Sequence, residues 1–179
     1  MRKLRTIEMN RLTVEEFKAS EKLPLIVVLD NVRSLYNVGS VFRTGDAFRI
    51  EAVFLCGITA CPPNAEIHKT ALGGEDSVAW KYFKDTEEAI EELHRRGYFV
   101  YSIEQVENST KLQALNLAVM EKRPYAVVFG NEVKGVGQTV VDMSDGCLEI
   151  PQFGTKHSLN VSVTAGIVIW EFARQLLIR

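Results

Sequence analysis

The amino-acid sequence predicts an α/β domain built around a mostly parallel β-sheet that is flanked by helices. Continuous apolar runs, which are typical of buried parallel strands, alternate with helical patterns along the chain. The runs lie at 25–29, 52–55, 98–101, 126–129 and 147–150. Strands that alternate with helices indicate a parallel sheet. The 179 residues fit one domain, which we expect over 23–179 after a short N-terminal extension over 1–22.

The helical patterns cover 38–48, 86–96 and 161–177, and Gly97 is the expected stop of the second. Thr13 and Glu16 form the capping box of a short helix before the first strand. The last helix is apolar on nearly every side, and such a helix must be buried all round. We therefore expect half of it to pack on its own sheet and half on a second copy, which predicts a homodimer. Complete burial within one chain is the alternative.

Composition excludes several classes of protein. Hydrophobic residues make up 46% and charged residues 25%, which is normal for a globular domain. No apolar run reaches the ~18 residues of a membrane span, and the N-terminus lacks a signal peptide, so we expect a cytoplasmic protein without a membrane partner. Cys56, Cys61 and Cys147 form no Cys-x-x-Cys pair. We expect them to be small buried hydrophobic residues, and we expect no metal site.

The net charge of −2 argues mildly against a nucleic-acid partner, because such domains usually carry a basic excess. A local basic patch remains compatible with this total. Basic residues in or beside the predicted loops are Arg33, Arg43, Arg49, Lys69, Lys134, Lys156 and His157. Scattered surface charges are the alternative interpretation.

Three predicted loops follow the carboxyl ends of strands, where open α/β sheets bind ligands. In the first loop, we expect Asn37 to cap the following helix and Gly39 to allow close packing of the backbone. Arg43 lies about two turns along that helix. A surface arginine that pairs with Asp46 or Glu51 is the alternative for Arg43.

The second loop contains Gly130, Gly135 and Gly137, which indicate backbone close to a ligand. It matches neither the Gly-x-Gly-x-x-Gly fingerprint nor a P-loop, and a plain loop is the alternative. In the third loop, Ser158 or Asn160 is a candidate cap of the last helix. Because three polar loops follow matching strand ends, we expect them to converge on one site.

These loops resemble the motifs of the SpoU (TrmH-like) family of RNA 2′-O-methyltransferases, in the SPOUT superfamily. The motifs, in the order of the family, are Asn37-x-Gly39-x-x-x-Arg43-Thr44, Phe129-Gly130-Asn131-Glu132-x-x-Gly135, and Ile150-Pro151 with Ser158-Leu159-Asn160-Val161-Ser162-x-x-Ala165. They span about residues 25–175. The resemblance implies a C-terminal deep trefoil knot, which general topology rules would not predict. It also implies a homodimer formed through helices next to the knot.

The resemblance further implies that S-adenosylmethionine binds in the knot, mainly through backbone groups. The implied cofactor-binding residues are Phe129, Gly130, Asn131, Ile150, Gln152, Ser158, Leu159 and Asn160. The implied catalytic residues are Arg43, Asn37, Glu132, Ser158 and Asn160. A guanidinium hardly deprotonates, so we expect Arg43 to bind the adjacent phosphate and orient the 2′-hydroxyl. A phosphate or a neighbouring side chain then takes the proton. An ion pair between Glu132 and Arg43 is the alternative for Glu132.

The predicted function is therefore transfer of a methyl group from S-adenosylmethionine to a ribose 2′-hydroxyl of RNA. We expect tRNA ahead of ribosomal RNA. Some relatives carry an added N-terminal RNA-binding domain and others have terminal extensions for tRNA, whereas only about 22 residues precede the first predicted strand here, which leaves little dedicated RNA-binding surface. A non-catalytic RNA-binding or ribosome-assembly factor that keeps the fold is the alternative. A nucleotide-dependent oxidoreductase is disfavoured, because the dinucleotide fingerprint is missing.

Overall fold

The computed structural model of the chain describes residues 1–119 and 123–178, so the last residue of the predicted domain lies outside it. The strands in the described residues are β1 (Leu23–Asp30), β2 (Ile50–Cys56), β3 (Ala79–Phe83), β4 (Phe99–Ile103), β5 (Thr110–Lys111), β6 (Tyr125–Phe129) and β7 (Gly146–Glu149). They form one sheet in the order β3-β2-β1-β6-β4-β7-β5, and every neighbouring pair is parallel. The prediction of a mostly parallel sheet is confirmed.

The helices are α1 (Val14–Ala19), α2 (Leu35–Ala47), α3 (Ala65–Ala71), α4 (Gly74–Ser77), α5 (Thr86–Arg95), α6 (Gln138–Met143) and α7 (Val161–Leu176). Short 3₁₀ turns cover Thr6–Met9, Leu112–Ala114 and Leu117–Val119. All five predicted strands and all three predicted long helices are present. The capping box of Thr13 and Glu16 is also present at the start of α1.

The core has two layers, one on each face of the sheet. Leu25, Val27 and Leu29 of β1 point into the layer that contains α2 and α7. Ile26 and Val28 point into the other layer, which contains α5 and α6. Because side chains alternate along a strand, a central strand that is covered on both faces must be apolar throughout.

The start of α2 differs from the prediction. Ser34 caps this helix, because its hydroxyl accepts a hydrogen bond from the backbone N–H of Asn37 at 3.3 Å. The prediction that Asn37 is the cap is wrong, since Asn37 lies inside the first turn and is buried. The prediction for Gly39 is confirmed: a Cβ there would lie 2.2 Å from the carbonyl oxygen of Ile67 in α3.

Helix α7 buries only part of its apolar surface within one chain. Asn160 caps the helix by accepting hydrogen bonds from the backbone N–H groups of Ser162 and Val163, as predicted. Other side chains of α7 enter the core next to α2. Val163 and Trp170, however, remain 51% and 48% exposed. Complete burial of α7 within one chain is therefore not observed.

The remaining sequence expectations concern the cysteines and membrane segments. Cys56 is buried, Cys61 and Cys147 are half-buried, and all three thiols are free. Burial raises the pKa of Cys56 to about 12 and also raises the pKa values of the other two thiols. Across residues 1–119 and 123–178, no helix is long and apolar enough to cross a lipid bilayer.

Candidate functional site

A cavity of 510 Å³ lies at the carboxyl edge of the sheet, where the segments after β4, β6 and β7 meet. The predicted cofactor-binding residues all line it: Phe129, Gly130, Asn131, Ile150, Gln152, Ser158, Leu159 and Asn160. Two of the three predicted loops therefore converge on one cavity. The segment after β4 also lines the cavity with Glu104 and Gln105, which were not predicted.

The loop after β6 is a tight turn that lines the cavity with backbone. Asn131 and Gly135 exchange two backbone hydrogen bonds of 3.0 and 2.9 Å. The side-chain amide of Asn131 donates to the carbonyl of Asn31 at 2.7 Å, and its oxygen accepts from the N–H of Val133 at 2.9 Å. A Cβ at Gly130 would lie 2.0 Å from the carbonyl carbon of Gly135, so only glycine fits there.

A chain of side-chain hydrogen bonds connects the three motifs. The amide of Asn160 donates to the side-chain oxygen of Asn37 at 3.2 Å. The amide of Asn37 in turn donates to the carboxylate of Glu132 at 3.2 Å. This network joins the start of α7, the first turn of α2 and the loop after β6. Asn37 reaches the predicted site through these contacts, although it does not itself line the cavity.

The carboxylate of Glu132 also binds the backbone that precedes α2. It accepts hydrogen bonds from the N–H groups of Arg33 and Ser34, both at 3.0 Å. Burial alone would raise its pKa, but these two bonds and the one from Asn37 outweigh burial and lower the pKa. Glu132 is therefore ionised at neutral pH. It makes no ion pair with Arg43, so the alternative for Glu132 is not observed.

Arg43 is exposed on α2, two turns after Asn37. In the part of the chain that the structure describes, its guanidinium makes no hydrogen bond or ion pair. The alternative that Arg43 pairs with Asp46 or Glu51 is thus not observed, and Glu51 accepts from Arg96 at 2.7 Å instead. Of the predicted catalytic residues, Glu132, Ser158 and Asn160 line the cavity, whereas Arg43 lies outside its wall.

Two other exposed cations near the cavity, Lys134 and Lys156, also lack an ion-pair partner among the described residues. Lys134 lines the cavity, and Lys156 precedes His157, which also lines it. Neither lysine has a carboxylate partner among the described residues. Lys69, by contrast, pairs with Glu66 at 2.6 Å. Although the chain as a whole is slightly acidic, unpaired positive charge is thus present beside the cavity.

The comparisons with known proteins agree with this geometry. A sequence profile described as the SpoU rRNA Methylase family matches residues 24–170. The chain belongs to the SpoU family. The family resemblance inferred from the three motifs is thereby confirmed.

The names of two SpoU relatives give different RNA substrates, tRNA and 23S rRNA. The tRNA (guanosine(18)-2′-O)-methyltransferase of Thermus thermophilus is 31% identical over 170 residues, which are 95% of this chain and 84% of that protein. The 23S rRNA (guanosine-2′-O-)-methyltransferase RlmB of Pseudomonas aeruginosa is 31% identical over 161 residues, which are 90% of this chain and 63% of that protein.

Solved SpoU structures share the fold. An AdoMet-bound rRNA methyltransferase from Sinorhizobium meliloti aligns with a TM-score of 0.78 at 25% identity, over 88% of this chain and 61% of that one. The A. aeolicus TrmH/SpoU tRNA modifying enzyme aligns with a TM-score of 0.77 at 26% identity, over 90% and 81%. The chain thus spans less than two thirds of the Sinorhizobium and Pseudomonas relatives and most of the Thermus and A. aeolicus ones.

Proposed function

We propose that this chain methylates the ribose 2′-hydroxyl of a tRNA nucleotide, with its cofactor in the cavity and Arg43 at the ribose. The class of reaction is that of its family: RNA 2′-O-methyl transfer that depends on S-adenosylmethionine. The observation that carries the proposal is the cavity, which the second and third SpoU motifs line and the first motif joins by hydrogen bonds. The choice of tRNA follows the Thermus relative, which is named a tRNA (guanosine(18)-2′-O)-methyltransferase and aligns over 95% of this chain.

The cavity fits S-adenosylmethionine in size and in chemistry. Its 510 Å³ falls within the roughly 300–1,000 Å³ that is usual for cofactor sites. Phe129, Ile150 and Leu159 supply apolar wall, and the turn at Gly130 supplies backbone N–H and C=O groups for the polar edges. When bound, the cofactor supplies a methyl group on a positively charged sulfur. The eight predicted residues of the cavity wall would hold it.

Arg43 would bind the phosphate next to the target ribose and orient its 2′-hydroxyl. A guanidinium offers five donors in a fixed plane, and Arg43 has no competing partner among the described residues. Glu132 is a poor proton acceptor, because its pKa is lowered and three hydrogen-bond donors already occupy its oxygens. We therefore propose that the hydroxyl proton is released to water as the methyl group is transferred.

The trefoil knot is part of the proposal. The segments after β4, β6 and β7 surround one cavity, and the side-chain amide of Gln105 donates to the carbonyl of His157 at 3.1 Å. Such contacts between the segment before α7 and a separate loop are what a threaded C-terminal segment requires.

A homodimer formed through the exposed face of α7 is also part of the proposal. This face carries Val163, Ile167 and Trp170. The ring centroid of Trp170 lies 5.8 Å from that of Phe48, which is the C-cap of α2. A second copy on this face would therefore lie close to α2 and Arg43.

We expect Trp170→Glu to convert a dimer into monomers in sedimentation analysis. Ile58→Glu, which changes an exposed hydrophobic side chain elsewhere, should leave the mass unchanged. A monomeric wild-type protein would refute the dimer. The cytoplasmic location stays a prediction.

The function is tested with purified protein, labelled S-adenosylmethionine and separate tRNA and ribosomal RNA fractions. We expect cofactor binding by calorimetry, methyl transfer to tRNA, and loss of one 2′-O-methylated position in RNA from cells that lack the protein. Transfer only to ribosomal RNA would overturn the choice of substrate. Cofactor binding without transfer to either RNA would favour the non-catalytic RNA-binding factor.

A further inference from the structure

Glu104 and Gln105 follow β4 directly and lie outside the three SpoU motifs. We propose that this Glu104–Gln105 pair positions the two loops that hold the cofactor, by binding one loop with each side chain. Both are positioning residues for cofactor binding. The inference rests on the proposed function, because it assigns a role within the same cavity.

Glu104 holds the loop after β6. One oxygen of its carboxylate accepts a hydrogen bond from the backbone N–H of Val136 at 3.0 Å, and the other accepts from the N–H of Gln105 at 2.9 Å. Gly135 has a left-handed backbone with φ of +68°, and a Cβ there would lie 2.2 Å from the same carboxylate. The carboxylate thus occupies the space that a side chain at position 135 would need.

Gln105 holds the segment that precedes α7. Its side-chain amide donates to the carbonyl of His157 at 3.1 Å, next to Ser158 in the cavity wall. The backbone N–H of Glu104 donates to the carbonyl of Leu148 in β7 at 3.1 Å, which fixes the pair to the sheet. Two consecutive residues therefore connect the rigid sheet to opposite walls of the cavity.

This arrangement predicts a selective effect on cofactor affinity. Without the carboxylate of Glu104, the turn between Asn131 and Gly135 keeps its internal hydrogen bonds but loses its contact with the segment after β4. A loop that is not held in place must be ordered when the cofactor binds, and this lowers affinity. Arg43 lies on α2 and does not depend on this contact, so RNA binding should change little.

The test compares Glu104→Ala, Glu104→Gln and Gln105→Ala with a control, Glu107→Ala, in the same segment. Glu107 is exposed, and its side chain makes no contact within the described ranges. We expect Glu104→Ala to weaken binding of S-adenosylmethionine about tenfold or more in calorimetry, because a hydrogen bond to a charged group is lost. Glu104→Gln should lose less, since its amide oxygen still accepts from Val136. Gln105→Ala should also weaken cofactor binding, and Glu107→Ala should have no effect.

Two further measurements separate positioning from general stability. In steady-state kinetics, KM for the cofactor should rise in Glu104→Ala while KM for RNA stays constant. If Glu104→Ala does not fold, hydrogen exchange at the Val136 amide in Glu104→Asp replaces it. The shorter side chain holds its carboxylate out of reach of Val136, so we expect faster exchange at unchanged global stability.

The outcomes are distinguishable from failure of the proposed function. A wild-type protein that does not bind S-adenosylmethionine would refute the proposed function itself. A wild-type protein that binds it, together with a folded Glu104→Ala whose affinity equals that of Glu107→Ala, would overturn the role of the pair alone. Unchanged exchange at Val136 in Glu104→Asp would overturn it equally.

Discussion

The two sides of the candidate site differ in whether their polar side chains already have hydrogen-bond or ion-pair partners within the chain. On the cavity side, Asn37, Glu132 and Asn160 bind one another and the backbone through hydrogen bonds of 3.0 to 3.2 Å. On the outer side, Arg43 and Lys156 are exposed and have no partner among the described residues. The comparison separates a preorganised pocket from charges that remain available for a substrate.

The difference has a physical cause. A buried polar group is costly unless it is hydrogen-bonded, so the buried amide of Asn37 needs its partners on both sides. An exposed cation remains hydrated and needs none. Substitutions on the cavity side should therefore change both stability and activity, whereas substitutions on the outer side should change activity alone.

The largest effect is expected for Arg43→Ala. Because the side chain of Arg43 makes no hydrogen bond or ion pair within the described part of the chain, its loss should leave the thermal midpoint and the affinity for S-adenosylmethionine unchanged. Methyl transfer should fall by about 100-fold or more, as when a charge-stabilising donor is removed from other enzymes. The measurement is single-turnover transfer to RNA, with Arg95→Ala on α5 as the control. Full activity of Arg43→Ala would remove Arg43 from the mechanism.

A smaller effect, on stability as well as on rate, is expected at Asn160. Asn160→Ala removes the cap of α7, which should cost about 1 kcal/mol in the free energy of unfolding. Asn160→Asp keeps an oxygen for Ser162 and Val163 but has no donor for Asn37. We expect Asn160→Asp to retain most of the stability in urea denaturation and to lose about tenfold in transfer rate, because the part-buried hydrogen bond to the amide of Asn37 is lost. If Asn160→Asp matches the wild type in both measurements, Asn160 is only a helix cap.

A still smaller effect, which depends on pH, is expected for Glu132→Gln. The pKa of Glu132 is lowered in the folded chain, so its charge stabilises the fold above the unfolded value of about 4.3. This contribution is lost as the pH falls through the lower, folded pKa. The difference in free energy of unfolding between wild type and Glu132→Gln should therefore be constant from neutral pH to about 5 and shrink below about 4. Glu91→Gln, on the exposed side of α5, is the control. A difference that does not vary with pH would contradict the role of the charge.

The same contrast explains which strands could be predicted from the sequence. Strands β1 and β6 lie at the centre of the sheet, are buried on both faces, and so appear as continuous apolar runs. Strand β3 lies at the edge, and its residues from Ala79 to Tyr82 are exposed. Its sequence carries no such run, and it was missed.

The candidate site was predictable only as far as its motifs are local in sequence. The motif residues around Gly130 and Ser158 were assigned to one cavity, which the structure contains. The hydrogen-bond partners of Asn37 were not predicted, because they lie 95 and 123 residues away, and its assignment as the cap was wrong because Ser34 is an equally good cap. The Glu104–Gln105 pair belongs to no motif. The only available signal was that these are the first polar residues after a strand that ends at the ligand-binding edge.

The smallest effects should come from the single unpaired lysines in and beside the cavity wall, Lys134 and Lys156. If Lys134 and Lys156 each contact one phosphate, removing either releases one counterion fewer on RNA binding. Lys134→Ala and Lys156→Ala should each lower the slope of log affinity against log salt by about 0.7 to 1, with kcat unchanged. Filter binding of RNA over a range of salt concentrations measures this slope, and Lys18→Ala on α1 serves as the control. If Lys134→Ala leaves this slope unchanged, as Lys18→Ala should, the RNA does not bind at the mouth of the cavity. In that case the unpaired charges beside the cavity would not form the RNA-binding surface, and the contrast between the two sides would hold for the cofactor pocket alone.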